Sequence, residues 1–172
     1  MALLLPPESV VPLLDEFFAR HLPITRYLNM RCHEYTGDCF SLAIDLQPSI
    51  NDKLTAFGGS LYCLCVMNCW GMAYLQCRQR GINPNMVVSH AEIDYMAPVD
   101  DNIIIATCQA PAAVNWELFA NASNAMGETN NSDIPVEGKI PRARTALRSS
   151  VFCNGREAVR FSGEYAVIGL AE

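Results

Sequence analysis

Stretches with helical spacing of apolar residues and stretches with alternating spacing follow one another along the chain. Apolar positions from Val10 to Leu22 predict an amphipathic helix within residues 1–23, which Pro23 ends. From Phe57 to Cys77 no side chain is charged, which predicts a central helix over residues 57–81 that is apolar nearly all round. Such a helix must be wrapped by protein or by lipid, so we expect the rest of the chain to enclose it.

Six further segments have the spacing and the composition of β-strands. They are residues 27–35, 39–46, 86–96, 102–109, 143–153 and 157–168. Thr36-Gly37-Asp38 and Asn154-Gly155 supply the tight turns of two hairpins. Residues 112–126 have helical spacing, and the polar insertion at 127–141 is predicted to be a loop. The pattern predicts one α+β domain over residues 1–172, in which a curved antiparallel sheet encloses the central helix.

The strand predicted at 86–96 has two unlike faces. Strict alternation places Val87, Ser89, Ala91, Ile93 and Tyr95 on one face and Val88, His90, Glu92, Asp94 and Met96 on the other. The second face carries three ionisable groups, which predicts a face that meets solvent or a subunit interface. The alternative is that one of these groups reaches the helix end of a partner subunit.

Composition and charge narrow the class of protein. The chain is 51% hydrophobic and 17% charged, which indicates an extensive core or a large subunit interface. The net charge of -6 favours neither nucleic acid nor an anionic membrane as a partner. Glycine and polar residues interrupt the apolar stretch 57–77, so we expect no membrane span, and the first residues lack the pattern of a signal peptide.

The eight cysteines lie mostly within apolar runs, which is typical of reduced thiols packed into the core of a cytoplasmic protein. Cys65 and Cys69 share one helix face. No His, Asp or Glu stands close in sequence to complete a metal-ligand set, so neither a metal nor a cofactor is expected.

Four segments carry a resemblance to a known family. Asn51, six residues before Phe57, and the following Gly58-Gly59-Ser60 resemble the N-x5-H-G-G segment of hot-dog fold acyl thioesterases. The strand 91–98 resembles their next strand, which ends in an aromatic residue followed closely by Pro. Segments 141–145 and 161–167 are similar to the closing strands of the thioesterase domain of YiiD C-terminal type.

This resemblance implies a hot-dog fold and hydrolysis of an acyl-CoA or acyl-carrier-protein thioester, with CoA present only as part of the substrate. It also implies a homodimer or a dimer of dimers with its sites at the subunit interface. The N–H groups from Gly58 to Ser60 are then expected to hold the thioester carbonyl at the start of the helix. Asn51 is predicted to orient that carbonyl or the attacking water; its alternative role is that of an Asx-type loop residue.

Two positions depart from the family pattern. Phe57 stands where the family has His, and Val66 stands where many members carry the acid that activates water, so neither moves a proton. Asn68 is predicted either to orient water or to be a satisfied buried amide. The remaining candidate bases or water-orienting groups are Asp52, Ser60, Ser89, His90, Glu92 and Asp94.

Arg142, Arg144 and Arg148 alternate along one strand and therefore share a face, where they either contact CoA phosphates or pair with the acidic excess. Besides the hydrolase, two other functions stay open. One is a non-catalytic acyl or acyl-CoA binding module that has lost the acid, and the other is a structural dimer with a vestigial pocket.

Overall fold

The computed structural model describes residues 4–117, 119 and 143–170. Its elements, in chain order, are α1 (Pro7–His21), α2 (Pro23–Tyr27), β1 (Arg31–Tyr35), β2 (Cys39–Asp45), a 3-10 turn (Gln47–Ser49), α3 (Gly58–Gln79), β3 (Pro84–Tyr95), β4 (Ile103–Gln109), β5 (Ala143–Cys153) and β6 (Arg156–Leu170). The insertion predicted at 127–141 and most of the helix predicted at 112–126 lie outside the described residues.

The described strands form one antiparallel sheet in the order β1-β2-β4-β5-β6-β3. The sheet curves around α3, which is the predicted α+β arrangement of the hot-dog fold. In β5, buried and exposed residues alternate, so that Leu147 and Val151 face the core and Arg144 and Arg148 face outward. The β5–β6 hairpin turns through Asn154 and Gly155, whose φ angles of 51° and 73° match the predicted two-residue turn.

Helix α3 lies at the centre of the core. Leu64, Cys65, Cys69, Met72 and Leu75 are fully buried on it, because β2 to β6 cover one side and α1 covers another. The eight cysteines are all free thiols and all are buried or half-buried, as predicted. Within the described residues, no helix has both the length and the apolarity that crossing a bilayer requires.

The first strand begins later than the alternation predicted. Residues 23–27 form the short helix α2, and Asn29 turns the chain with a φ of 51° before β1 starts at Arg31. The predicted start of this strand at Tyr27 was therefore wrong. Pro23 ends α1, but its fixed φ also suits the first position of a new helix, and α2 begins at this residue.

Strand β3 contains a bulge that strict alternation cannot reveal. Val88 pairs with Tyr165 and His90 pairs with Glu164, so Ser89 between them is the extra residue. The bulge places Met86 and Val88 on the same side of the strand as Ala91, so the predicted grouping of Val87 and Ser89 with Ala91 on one face was wrong. The predicted grouping of His90, Glu92 and Asp94 on one outer face is confirmed, since the register is regular from His90 to Tyr95.

Candidate active site at the start of the central helix

The loop of residues 51–56 is closed by its first residue. The Asn51 amide N–H donates to the Thr55 carbonyl at 2.8 Å, and its side-chain Oδ1 accepts from the Lys53 N–H at 2.8 Å and the Thr55 N–H at 3.2 Å. Its Nδ2 donates to Thr55 Oγ1 at 3.1 Å and to the Ala56 carbonyl at 3.4 Å. Asn51 thus organises this loop, as expected of an Asx-type residue, and its contact with a substrate carbonyl stays a prediction.

Two further backbone bonds set the position at which α3 begins. Ala56 N–H donates to the Val99 carbonyl at 2.7 Å, and Phe57 N–H donates to the Ser49 carbonyl at 2.6 Å. Phe57 is the N-cap residue and supplies no side-chain cap. Hydrogen bonds to Val99 and Ser49 therefore fix the chain just before α3, while no side chain caps the first turn of the helix.

The first turn of α3 leaves two amides available. Ser60 N–H and Leu61 N–H both donate to the Phe57 carbonyl, at 3.0 and 3.1 Å. The N–H groups of Gly58 and Gly59 have no acceptor among the described residues. Of the three amides predicted to hold a carbonyl, Gly58 and Gly59 are free to donate, whereas that of Ser60 is already bonded. The helix dipole adds partial positive charge at the same place.

Both glycines allow an aromatic ring to approach the backbone. A Cβ on Gly59 would lie 2.4 Å from Phe57 Cε1, so the Phe57 ring packs directly on this residue. A Cβ on Gly58 would lie 3.4 Å from Tyr95 Cζ. The sequence analysis attributed the glycines to a closely approaching thioester, and the structure adds that they make room for these two rings.

An open cleft of about 350 Å³ lies between the start of α3 and the end of β3. Its lining residues are all uncharged: Thr55, Ala56, Gly58, Leu61, Tyr95, Met96, Ala97, Pro98 and Val99. The Tyr95 hydroxyl donates to the Gly58 carbonyl at 2.8 Å. Sequence reasoning did not assign Tyr95 to the site, although the aromatic residue ahead of Pro98 was the signal that marked this strand end.

A larger groove of about 440 Å³ lies between α1 and β1, but its arginines are already bonded to other protein groups. Its two arginines already have protein partners: Arg31 binds Asp45 at 2.9 Å and Arg26 binds the Ala19 carbonyl. The cleft beside Gly58 is smaller and offers unbonded amides, so we place the candidate site there. The alternative of a structural dimer with a vestigial pocket concerns the assembled subunits and stays a prediction.

Asn68 lies fully buried in the middle of α3. Its Nδ2 donates to the Phe40 carbonyl at 2.9 Å, and its Oδ1 accepts from Ser149 Oγ at 2.7 Å. Both polar atoms of the amide are thus bonded to β2 and β5. This matches the satisfied-amide alternative from the sequence analysis.

The candidate groups on β3 face away from α3. Ser89 Oγ donates to Glu164 Oε1 at 2.7 Å, and His90 Nε2 lies 3.4 Å from Glu92 Oε1. In the strand register, Asp94 of β3 lies opposite Arg160 of β6. None of the three ionisable side chains lines the cleft, and each is exposed.

The remaining predicted positions also lie off the cleft. Asp52 is exposed and pairs with Lys53 at 2.9 Å. Val66 is half-buried, and its carbonyl accepts the Tyr165 hydroxyl at 2.8 Å. The structure therefore brings Gly58 into contact with Tyr95 in the lining of the cleft and leaves every candidate base outside the lining.

The predicted arginines lie on the outer face of β5. Arg144 forms an ion pair with Glu164, and the hydrogen bond from the Ser89 hydroxyl, followed by that from the Arg144 guanidinium, holds the pKa of Glu164 below its usual value. Arg148 has no ion pair or hydrogen bond within the described part of the chain, and Arg142 lies outside it. Neither Arg144 nor Arg148 lines the cleft, and a contact with CoA phosphates stays a prediction.

One group of side chains has the spacing of metal ligands. The ligand atoms of Asp100, Asp101 and Cys153 lie within 4.8 Å of one another. Cys153 Sγ donates to Asp100 Oδ1 at 3.3 Å, and desolvation raises the pKa of this thiol. This hydrogen bond by itself accounts for the close approach of Cys153 to Asp100.

Comparison with known proteins gives one family match and several structural relatives. Residues 12–169 match the family described as "Putative thioesterase (yiiD_Cterm)". A protein of unknown function from Chlorobaculum tepidum TLS is 33% identical, with a TM-score of 0.81 over 98% of both chains. A putative thioesterase from Shewanella oneidensis is 21% identical, with a TM-score of 0.75 over 94% of this chain and 99% of its own. A thioesterase from Haemophilus influenzae is 12% identical, with a TM-score of 0.67 over 94% and 92%, and these last two show the fold alone.

Proposed function

Because the chain belongs to this thioesterase family, we propose that it hydrolyses acyl thioesters in the cleft at the start of α3. The observation that carries the proposal is the pair of unbonded amides, Gly58 and Gly59, in the first turn of α3, where Gly58 lines an open and uncharged cleft. The acyl chain lies along Leu61, Met96 and Val99, and the thioester carbonyl accepts from the two amides.

The amides act on the charge that develops during the reaction. As the oxygen of water bonds to the acyl carbon, the carbonyl oxygen becomes an oxyanion, and the two N–H groups and the helix dipole stabilise it. The carbon–sulfur bond then breaks, and its electron pair leaves on sulfur. The products are a thiol and a carboxylate, with one proton released to solvent.

The water is oriented by neutral groups, since the nine residues that line the cleft carry no carboxylate or imidazole. Without a side-chain base, kcat is expected at the low end of the usual enzymatic range, near or below about 1 per second. The rate should also lack a descending acid limb between about pH 5 and 8, because no group of the lining titrates there.

The proposed active form is a cytoplasmic homodimer or dimer of dimers. Strand β3 is an edge of the sheet and is 12 residues long. Val87, Val88, Tyr95 and Met96 are exposed along or just beyond it, and Phe57 is exposed beside it. A long edge with exposed apolar side chains favours pairing with a second copy, which would cover the cleft from one side. Light scattering on the purified chain measures the assembly directly.

The test of the proposed function is release of free thiol from acyl-CoA, acyl-pantetheine and acyl carrier protein, each with short to long acyl chains. Turnover with one carrier but not the others would name the substrate class. The absence of thiol release from every member of the panel, with the assembled protein, would contradict hydrolysis.

A second function is favoured by the uncharged lining of the cleft. A binding module that keeps the acyl site and lacks a base would bind acyl-CoA without hydrolysing it. Calorimetric titration with the same acyl-CoA panel separates the two, because binding with no thiol release selects the binding module.

A further inference from the structure

The Tyr95 hydroxyl joins the end of β3 to the first turn of α3 through its 2.8 Å bond to the Gly58 carbonyl. We propose that Tyr95 is a positioning residue that orients and polarises the Gly59 amide for the substrate carbonyl. This rests on the proposed function, since it assigns a supporting group to the same site.

The geometry of the peptide bond carries the first step. The described residues contain no cis peptide bond, so the peptide from Gly58 to Gly59 is trans. In a trans peptide the C=O and the N–H point in opposite directions within one plane. Tyr95 holds the Gly58 oxygen, so it also sets the direction of the Gly59 N–H. That N–H points out of the open end of the helix, where it has no acceptor among the described residues.

The second step concerns the strength of the donor. A carbonyl that accepts a hydrogen bond polarises its own peptide, and each bond in such a chain strengthens the next by about 10–30%. Gly58 O follows the Phe57 carbonyl, which accepts the first α-helical bond from Leu61 N–H, and the phenol donates to Gly58 O in addition to the helix. Partial burial raises the pKa of Tyr95, so the hydroxyl keeps the proton that it donates.

The third step is that this contact is local rather than part of the core. The Tyr95 ring is 52% exposed, yet it approaches Gly58 so closely that a Cβ there would lie 3.4 Å from Cζ. Removing the hydroxyl leaves the ring and its packing in place. Tyr95→Phe is therefore expected to fold normally and to change only the hydrogen bond.

Tyr62→Phe is the matched control. Tyr62 belongs to the next turn of α3, is 37% exposed, and packs edge-on against Phe161 at 5.8 Å between ring centroids. Its hydroxyl has no hydrogen-bond partner within the described part of the chain. The two variants remove the same atom from neighbouring rings, and only one of them touches the Gly58 carbonyl.

The experiment measures kcat, KM and the infrared carbonyl stretch of a bound ketone analogue, in which a CH2 group replaces the thioester sulfur and the carbonyl is labelled with 13C. Tyr95→Phe should lower kcat about 3- to 30-fold, less than the 10²–10³ lost with an oxyanion donor itself. KM should stay within about twofold, and the carbonyl stretch should move to higher wavenumber because the Gly59 hydrogen bond is weaker. Tyr62→Phe should match the wild type in all three.

The other outcomes separate the role of Tyr95 from hydrolysis itself. An active wild type with an unchanged Tyr95→Phe variant overturns the role of Tyr95 and leaves the hydrolase standing. A lower kcat with an unchanged carbonyl stretch also overturns it, since the hydroxyl would then serve only to brace the helix. A wild type that binds the analogue without turnover contradicts hydrolysis, and the stretch still decides the role of Tyr95. A wild type that does neither overturns both proposals.

Discussion

The two ends of α3 differ in how their backbone and glutamine amide groups are bonded. At the carboxyl end, which we call the sealed end (residues 76–80), Gln79 Nε2 donates to the Leu5 carbonyl at 2.8 Å and Gln79 Oε1 accepts the Tyr35 hydroxyl at 2.6 Å. Gln76 Nε2 donates to the Gly37 carbonyl. At the amino end, the open end (residues 57–60), the Gly58 and Gly59 amides are unbonded in the described structure.

The aromatic residues show the same contrast. Towards the sealed end, the rings of Phe17, Trp70 and Tyr74 form a cluster, with centroid distances of 4.9, 5.1 and 5.5 Å. At the open end, the Phe57 ring is 58% exposed. The comparison indicates that packing and bonding along the sealed part of the helix supply the stability that lets the open end keep polar groups for a ligand.

The largest expected effect is on the packed part of α3. Leu75 is fully buried, so Leu75→Ala should lower the free energy of unfolding by about 2–5 kcal/mol through lost burial and a cavity. Urea unfolding at constant m-value measures this. Leu4→Ala, at a half-exposed leucine near the same end, is the control and should stay within about 0.5 kcal/mol. Equal losses for both would remove the contrast between core and surface at the sealed end.

Asn68→Ala tests the middle of the helix. The variant leaves the Phe40 carbonyl and the Ser149 hydroxyl without their buried partner, which should cost about 1–3 kcal/mol. Turnover per folded molecule should not change. A fall in kcat with folding intact would show that Asn68 takes part in the chemistry after all.

Gly59→Ala and Gly58→Ala form a matched pair at the open end. Both keep the amide N–H, but only the Cβ on Gly59 meets the Phe57 ring at 2.4 Å and must displace it. Gly59→Ala should therefore lower kcat/KM about tenfold, which is about 1.4 kcal/mol. In Gly58→Ala the new Cβ would lie 3.4 Å from Tyr95, so kcat/KM should fall by less than in Gly59→Ala. The reverse order would mean that the Phe57 ring does not shape the site.

The smallest effect is expected on the outer face of the sheet, away from both ends of the helix. The pKa of Glu164 is lowered, so its contribution to stability is present above the ordinary glutamate pKa and is lost as the pH falls through the folded value. Arg144→Gln removes one cause of that shift and should move acid unfolding to slightly higher pH. Arg148→Gln, at an arginine that has no partner among the described residues, should not. Circular dichroism during acid titration compares the two, and a higher KM in either variant would instead support a CoA phosphate contact.

Much of the fold follows from patterns that a single segment carries. The uncharged stretch 57–77 predicted α3 within two residues at its carboxyl end, and Asn154-Gly155 predicted the β5–β6 turn. The bulge at Ser89 did not follow, because it depends on how β3 pairs with β6 rather than on the residues of β3 alone. The helix α2 was missed because Pro23 both ends one helix and begins another.

The part of the site that lies within one segment was predicted, whereas the part that depends on a contact between distant segments was not. Gly58 and Gly59 stand out in sequence because two glycines open an apolar helix. Tyr95 does not stand out, since its role depends on a contact across 37 residues of chain. The engagement of Asn51 with Thr55 was one of two alternatives that the sequence alone left open.

The hydrogen bonds between Leu5 and Gln79 hold the first described residues at the end of α3 that is opposite the cleft, which is useful for attaching the protein to a surface. Leu5 N–H donates to the Gln79 carbonyl at 2.8 Å, which returns the bond from the Gln79 side chain and fixes the first described residues to the sealed end. With 22 residues, α3 is about 33 Å long, so this attachment point lies far from the cleft. A fluorophore or a surface tether joined ahead of Leu4 would hold the molecule with its cleft facing solution, which suits immobilised binding assays on the acyl thioester panel.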